Sequence, residues 1–367
     1  MLSIGLILFI PLGLNKLVNE GAGRLTGRAE STPLLVGTLG SQTELTLSAL
    51  YFKEAAYRPM QYREFDSLRF EVDGKVYPMH LKFRAGEQPI VGTSPEYVTF
   101  RNMTFSEGRN FVMLGECILG AKAAEALQAG VGDAVISSPA GAFDVAGSFP
   151  LKMKVAGVLN PVNSPDDEAV FTDIKTTWVI EGLAHGHENV ENSENQMLLK
   201  TDSLIIAGPA VLSYTEITEE NRTSFHFHGQ EANYPIHAII VEPRNDRERI
   251  QLRGRYESRT DNIQMIVPAD VVNELVATVF TIRDLVFKAG VFIGIATLCI
   301  ATLVFILSVR LRKNELNTIR KMGGSGRWIQ QVLGLEIVIV LTLSIGTAWI
   351  ITLFVSTFSN EIIEKWI

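Results

Sequence analysis

The chain has 367 residues, 47% of them hydrophobic and 20% charged, with a formal charge of −7 at neutral pH. A positive mean hydropathy beside that charge excludes an evenly mixed soluble surface and concentrates the apolar residues in a few segments, while the acidic balance excludes nucleic acid as an expected partner. Two cysteines, Cys117 in a polar region and Cys299 in an apolar run, provide neither a disulfide framework nor a thiolate metal motif.

The first segment, Met1–Leu14 (MLSIGLILFIPLGL), is apolar but short. At about 1.5 Å per residue it reaches roughly 20 Å, against a hydrocarbon core of about 30 Å. It has no basic residue before it and no small-x-small site immediately after it, as a signal peptide would. Residues 1–20 are therefore expected to be the end of a first transmembrane helix that begins upstream of Met1.

Residues 21–268 are expected to form an α+β domain. Apolar or alternating runs predict strands at Leu34–Gly37, Met79–Phe83, Phe111–Leu114, Lys152–Leu159, Ile236–Val241 and Ile263–Val267. Helical patterns occupy Gly120–Leu127, Asp173–Leu183 and Asp246–Tyr256. The order of strand, Asp246 helix and strand near the end reads as a βαβ-like unit. Glu188–Gln196, rich in Glu and Asn, reads as a solvated loop.

Pro268 and Asp270 mark a helix start, where the fixed proline φ and an acidic side chain both suit the N-terminus. No breaker appears from Ala269 to Val309, so the pattern predicts a helical rod of about 60 Å, with a bend at Lys288–Gly290 as the alternative. Residues 269–288 would form a stalk. Residues 289–309 carry no charge and are long enough to cross a bilayer. A loop over 310–328 precedes a second crossing helix over 329–355, centred on Ile337–Val355, and a tail over 356–367.

Arg310, Arg312, Lys313, Arg320, Lys321 and Arg327 face a single acid, Glu315, in the short loop. Such a loop stays in the cytoplasm, which places residues 21–268 outside it. The stretch from Ala289 to Ile367 carries a net charge of +3 and the remainder −10, so the large domain is acidic and extracytoplasmic. The helix over 289–309 offers no polar path for an ion.

The loop has its own pattern. Leu316, Ile319 and Met322 recur at spacing three while Arg320 and Lys321 face water, a short amphipathic helix that Gly323, Gly324 and Gly326 bring to an end. From Asn314 to Glu336 this stretch resembles the cytoplasmic loop of permeases of the MacB, LolC/LolE and FtsX class of ABC systems. The matching positions are Glu315, Leu316, Ile319, Arg320, Met322, Gly323, Gly324, Ser325, Ile329, Val332 and Glu336. Phe105–Arg109 (FSEGR), Ile118–Ile136 and Leu151–Trp178 are similar, in the same order, to the periplasmic core domain of that class. The resemblance extends over about Gly21–Phe358.

The resemblance implies a membrane protein whose α+β extracytoplasmic domain, a porter part with an inserted sabre-like part, stands on about three transmembrane helices. It also implies a multi-pass location in a bacterial cytoplasmic (inner) membrane. A cytoplasmic helix before the first span and a fourth membrane helix have no counterpart here, so the expectation is either a three-helix variant or a chain incomplete at both ends. Glu315, Leu316, Ile319, Arg320, Met322, Gly323 and Gly324 would couple to an ATPase. The pattern G-x-x-x-x-G-K-[ST] occurs nowhere, so ATP and its Mg ion belong to a separate ABC ATPase subunit and the chain is not expected to be an enzyme. The other implied partners are a second permease copy or paralogue, an adaptor, lipoprotein or hydrolase outside the membrane, and membrane lipid. Cargo would be a peptide, drug, lipid or lipoprotein. The alternatives are an FtsX-like module that activates a cell-wall hydrolase without moving cargo, and a zinc-linked transport system.

Zinc enters through His185-Gly186-His187 and His226-Phe227-His228. If Ser224–His228 is a strand, period two sets His226 and His228 on one face with Phe227 opposite. One such pair supplies two ligands and zinc needs three or four. A site over His185, His187, His226 and His228 therefore requires the pairs to converge, or Glu181, Glu188 or Glu231 to complete one. A solvated or structural role for these histidines is the alternative. No stretch resembles a nucleophile elbow.

Overall fold

The computed structural model describes residues 2–138, 150–186, 197–201, 204–207, 215–219, 221–222, 225–259, 261–323 and 325–366. The chain divides into two compact units, Gly27–Val272 and the pair of segments Met1–Thr26 and Asn273–Ile367.

Chain order begins with α1 (Leu2–Glu30), β1 (Leu34–Thr38), α2 (Gln42–Tyr51), β2 (Met60–Gln61), α3 (Tyr62–Glu71) and β3 (Gly74–Ala85). It continues through β4 (Gln88–Thr93), α4 (Glu96–Phe100), β5 (Phe105–Gly108), β6 (Glu116–Leu119), α5 (Ala121–Leu127), β7 (Ala134–Ile136), β8 (Leu151–Leu159), β9 (Val170–Asp173) and α6 (Ile174–Ile180). Short strands follow: β10 (Ala184–Gly186), β11 (Met197–Thr201), β12 (Leu204–Ala207), β13 (Thr215–Glu216), β14 (Phe225–Phe227) and β15 (Pro235–Ile236). The unit Gly27–Val272 then finishes with β16 (Ala238–Pro243), α7 (Asp246–Glu257) and β17 (Ile263–Ile266).

The frame of that unit is the antiparallel run β3-β16-β1-β17. The expected βαβ-like unit is present: β16, α7 and β17 form a crossover between parallel strands with β1 lying between them. The connection from β1 to β3 does the same around β16. Two interleaved crossovers of this kind are the split βαβ arrangement of ferredoxin-like sheets. Everything between β3 and β16 is an insertion. Its strands extend the same sheet in the order β4, β9, β6, β8 and β13, with β5 and β7 also on β8.

β3 joins the two parts because it is long. Its first half, Gly74–Met79, pairs with β16, and its second half, from His80, pairs with β4. Each part has its own core. In the frame core, Trp178, contributed by α6 of the insertion, is fully buried among Tyr62, Phe65, Leu68, Tyr234 and Leu252. Its ring packs edge-on to Tyr62 and Tyr234 at 4.9 and 5.0 Å, and its Nε1 donates to the Pro235 carbonyl at 3.0 Å. In the insertion, alternate residues of β8 (Leu151, Met153, Val155) bury against Ile90, Cys117, Leu119 and Val170, the period-two pattern of a half-buried strand.

Most predicted elements are in place, with two departures. Phe111–Leu114 is not a strand but the connection between β5 and β6. The Glu116 carboxylate accepts the Val112 and Met113 amides at 3.0 and 3.1 Å, which turns the chain, and only Phe111 is buried. The expected strand Ile236–Val241 is broken at His237, whose amide donates to the Met79 carbonyl.

α8 (Pro268–Leu311), which runs on into the other unit, is one continuous 44-residue helix rather than two, followed by α9 (Lys313–Lys321) and α10 (Gly326–Trp366). Two helical stretches are long and apolar enough to cross a membrane: α8, with mean hydropathy 2.6, and Gln330–Ile351 within α10, with 2.0. None of the most apolar part of α8 is buried within the chain, so side chains such as Phe292 and Leu298 are left to lipid or to another helix. α1 runs unbroken to Glu30, well past the apolar Met1–Leu14 stretch.

Candidate functional site

The loop between α8 and α10 is the first candidate. α8 ends at Leu311, and α9 restarts almost at once, with the Leu316 amide on the Arg312 carbonyl. Within α9, Leu316 and Ile319 are the half-buried positions, and Glu315, Arg320 and Lys321 are exposed. Met322 departs from the expected face. It is the C-cap, 76% exposed, beyond the last helical turn. Gly323 follows with φ +95°, a left-handed conformation that L side chains disfavour, and so ends the helix as expected. Gly324 lies outside the described residues. Arg312 reaches Glu336 of α10 at 3.6 Å, across the turn.

The second candidate is the set of stretches Phe105–Arg109, Ile118–Ile136 and Leu151–Trp178, and the structure supplies physical reasons for their residues. Gly108 has φ +76°, and a Cβ there would collide with the Ala156 carbonyl on β8. Arg109 makes a bidentate pair with Glu116 at 2.6 and 2.8 Å. Burial would raise the Glu116 pKa, but Arg109 and the two loop amides outweigh it and bring it down to about 2. A Cβ at Gly120 would strike the Asp166 carbonyl, so only glycine lets α5 start there. Asp166 in turn holds Arg28 at 2.5 and 2.9 Å in a buried pair. Arg28 also bonds the Leu50 carbonyl and donates to the Tyr97 hydroxyl at 3.1 Å.

Residues 28–205 match the family model of the MacB-like periplasmic core domain. Over these residues the chain is similar to that domain family. Arg28, at the first matched residue, and Asp166 are thus bonded to each other within the MacB-like stretch, whereas the frame strands β16 and β17 lie beyond it. Among curated proteins no relative matches. Among solved structures, the periplasmic region of MacB from Actinobacillus actinomycetemcomitans is 9% identical, with a TM-score of 0.38, covering 68% of this chain and 95% of that one. The extracellular domain of the ABC-type transporter YknZ from Gram-positive bacteria is 13% identical, with a TM-score of 0.34, covering 64% and 98%. The assignment rests on the family model.

The histidines divide into two groups. In the insertion, β10 pairs antiparallel with β14, which lies beyond the residues matched by the family model, and the register sets His185 opposite His226. The His226 and His228 rings lie 4.7 Å apart. Both are exposed, while Phe227 between them is half-buried against Trp178 and Tyr234, as period two predicts. His187 and Glu188 lie outside the described residues. The two acids expected to complete a site do not: Glu231 pairs with Lys175 at 3.1 Å, and Glu181 turns inward to His80 at 3.0 Å and Lys82 at 2.8 Å. Among the described residues no group of three or more His, Cys, Asp and Glu side chains is placed to hold a metal.

The second group was not anticipated. His80 and His237 are buried, with ring centroids 4.8 Å apart. His237 Nδ1 accepts the Leu81 amide at 3.2 Å, which fixes the proton of the neutral ring on Nε2. Burial, helped by the neighbouring His80, lowers the His237 pKa to about 3. Burial alone would raise Glu181, but His80 and Lys82 hold it down to about 2. No sequence signal links residues 157 positions apart. Only the β3–β16 ladder, pairing Ala238 with Met79, brings them together.

Proposed function

We propose that this chain is the permease subunit of a MacB-type ABC transporter, working in a bacterial cytoplasmic membrane beside a separate ABC ATPase and a second permease copy. The observation that carries the reading is the presence, in one chain, of a MacB-like periplasmic core domain and two apolar helices, α8 and α10, flanking the basic, amphipathic α9. ATP-driven closure of the ATPase would displace α9, whose Leu316 and Ile319 insert into a groove on the ATPase. The continuous α8 would carry that displacement through the membrane, since a single helix about 66 Å long resists bending. Cargo of the peptide, drug, lipid or lipoprotein class would be handled outside the membrane. This chain has no Walker A sequence, so hydrolysis falls to the partner.

The test is co-purification of the chain with its ATPase. Replacing Leu316 and Ile319 by Asp should separate the two and abolish permease-stimulated ATP hydrolysis, with the large domain still folded by hydrogen exchange. A complex that stays intact with normal hydrolysis would remove α9 as the coupling element.

A further inference from the structure

The sheet ends at β17, which pairs with β1 and with no other strand among the described residues. The register sets Thr38 opposite Ile263, and one step on the Leu39 amide donates to the Asn262 carbonyl at 2.9 Å. Bonded and non-bonded pairs alternate along an antiparallel ladder. Gln264 and Ile266 are therefore the residues bonded to β1, while Ile263 and Met265 turn their N–H and C=O groups away from it. Among the described residues nothing takes those outward groups.

The free edge is recessed. It lines a cavity of about 390 Å³ with two walls, α7 with Arg253, Tyr256 and Glu257, and the turn into α2 with Leu39 and Gln42. The walls lie on opposite faces of the sheet: Gly37 is covered by Leu45 of α2, whereas Val36 and Met265 share a core with Leu252 of α7. Both walls are braced. Arg253 pairs with Glu257 at 3.0 Å and with Asp270 at 3.7 Å, and Gln264 Nε2 donates to the Thr38 and Gly40 carbonyls at 3.0 and 3.3 Å. Leu39 is nevertheless 60% exposed. An edge set between two walls is out of reach of the same edge in a second folded copy, because the walls of the two copies meet first. A bare extended chain reaches it.

We propose that the edge of β17 binds a free extended peptide as an added strand, with apolar side chains towards Leu39 and basic side chains towards α7. In strand addition the main-chain hydrogen bonds give affinity, and alternate side chains give selectivity. Successive side chains of the added strand point to the two walls in turn. Basic ones suit the α7 side, because Glu257, Asp261 and Asp270 line the cavity there against Arg253 and Arg259, both already paired. The site stands on the edge alone and needs neither α9 nor an ATPase.

The test is fluorescence anisotropy with the full chain in detergent, at about 0.15 M salt to screen diffuse charge attraction. The probe is a short fluorescein-labelled peptide of alternating valine and lysine. The wild type should bind it saturably. The same peptide N-methylated at every amide, equal in charge but unable to form a ladder, should not bind. Residue-resolved hydrogen exchange of the wild type should show the Ile263 and Met265 amides becoming protected on binding while Gln264 and Ile266 stay as they were, an alternation that only an added strand produces. Ile263→Pro removes one outward donor and leaves the β1 ladder intact, at the kind of edge position where proline is tolerated. It should weaken binding roughly two- to tenfold, the effect of one hydrogen bond. The proposal is overturned by a folded wild type that does not bind the probe, by equal binding of the N-methylated peptide, or by protection that misses Ile263 and Met265. Protection of these two amides that grows with protein concentration in the absence of peptide would also overturn it, by assigning the edge to a second copy.

Discussion

At the scale of single residues, burial decides what a histidine does. His226 and His228 stand on an exposed strand face, whereas His237 is shut into the junction of β3 and β16 with His80, Tyr57 and, beyond His80, Glu181 and Lys82. The His237 pKa falls from the ordinary 6.5 to about 3, so the unfolded chain takes up a proton before the folded one does. Stability is therefore complete above about pH 6.5 and declines as pH falls towards 3, by up to ~1.4 kcal/mol per pH unit. His237→Asn keeps an acceptor for the Leu81 amide and removes the titration. Urea unfolding across pH 7 to 4 should show a shallower decline for this variant, and identical slopes would assign the acid sensitivity elsewhere. The histidine types were legible in the chain and their environments were not, because a histidine in an alternating run reads the same whether its face meets solvent or a second strand.

At the scale of elements, a buried ion pair ties the end of α1 to the 3₁₀ turn at Pro165–Glu168. Arg28 and Asp166 are both nearly inaccessible. Burial opposes both charges, but each ion sustains the other: the Arg28 pKa is raised and that of Asp166 lowered. Removing one partner strands the other, so Arg28→Met should destabilise the domain by roughly 3–5 kcal/mol. Arg28→Met with Asp166→Leu should recover a large part of that, because a buried pair contributes little net stability relative to apolar replacements. Hydrogen exchange of the β6 and β9 amides measures both, and a single variant as stable as wild type would show that water replaces the lost partner. α6 and α9 illustrate how element ends escape the sequence. α6 stops at Ile180 because Gly182, two residues on, has φ +80° and the Leu183 amide folds back to the Trp178 carbonyl, and α9 stops before Met322. The apolar period continues past both ends, to Leu183 and Met322, so it does not mark where either helix stops.

At the scale of the whole molecule, the proposed orientation has a direct check. Ser325→Cys should resist an impermeant thiol reagent in intact cells and Asp73→Cys should react, with Cys299 replaced by Ala and Cys117 shielded by burial; the reverse pattern would invert the topology. The sequence by itself determined the apolar runs, the basic loop, the start of α8 at Pro268 and the order of strand, α7 and strand. These follow from local composition and period, which act over a few residues and do not depend on what is packed alongside. It also carried the motif glycines, without saying why they are glycine. The tertiary structure decided the rest. It interleaved the two crossovers into one sheet and divided β3 between the frame and the insertion. It brought Arg28 to Asp166 and His80 to His237, and set His185 opposite His226. Each of these joins residues far apart in the chain, and strand register, which fixes such pairs, is set by the burial of a whole sheet face at once.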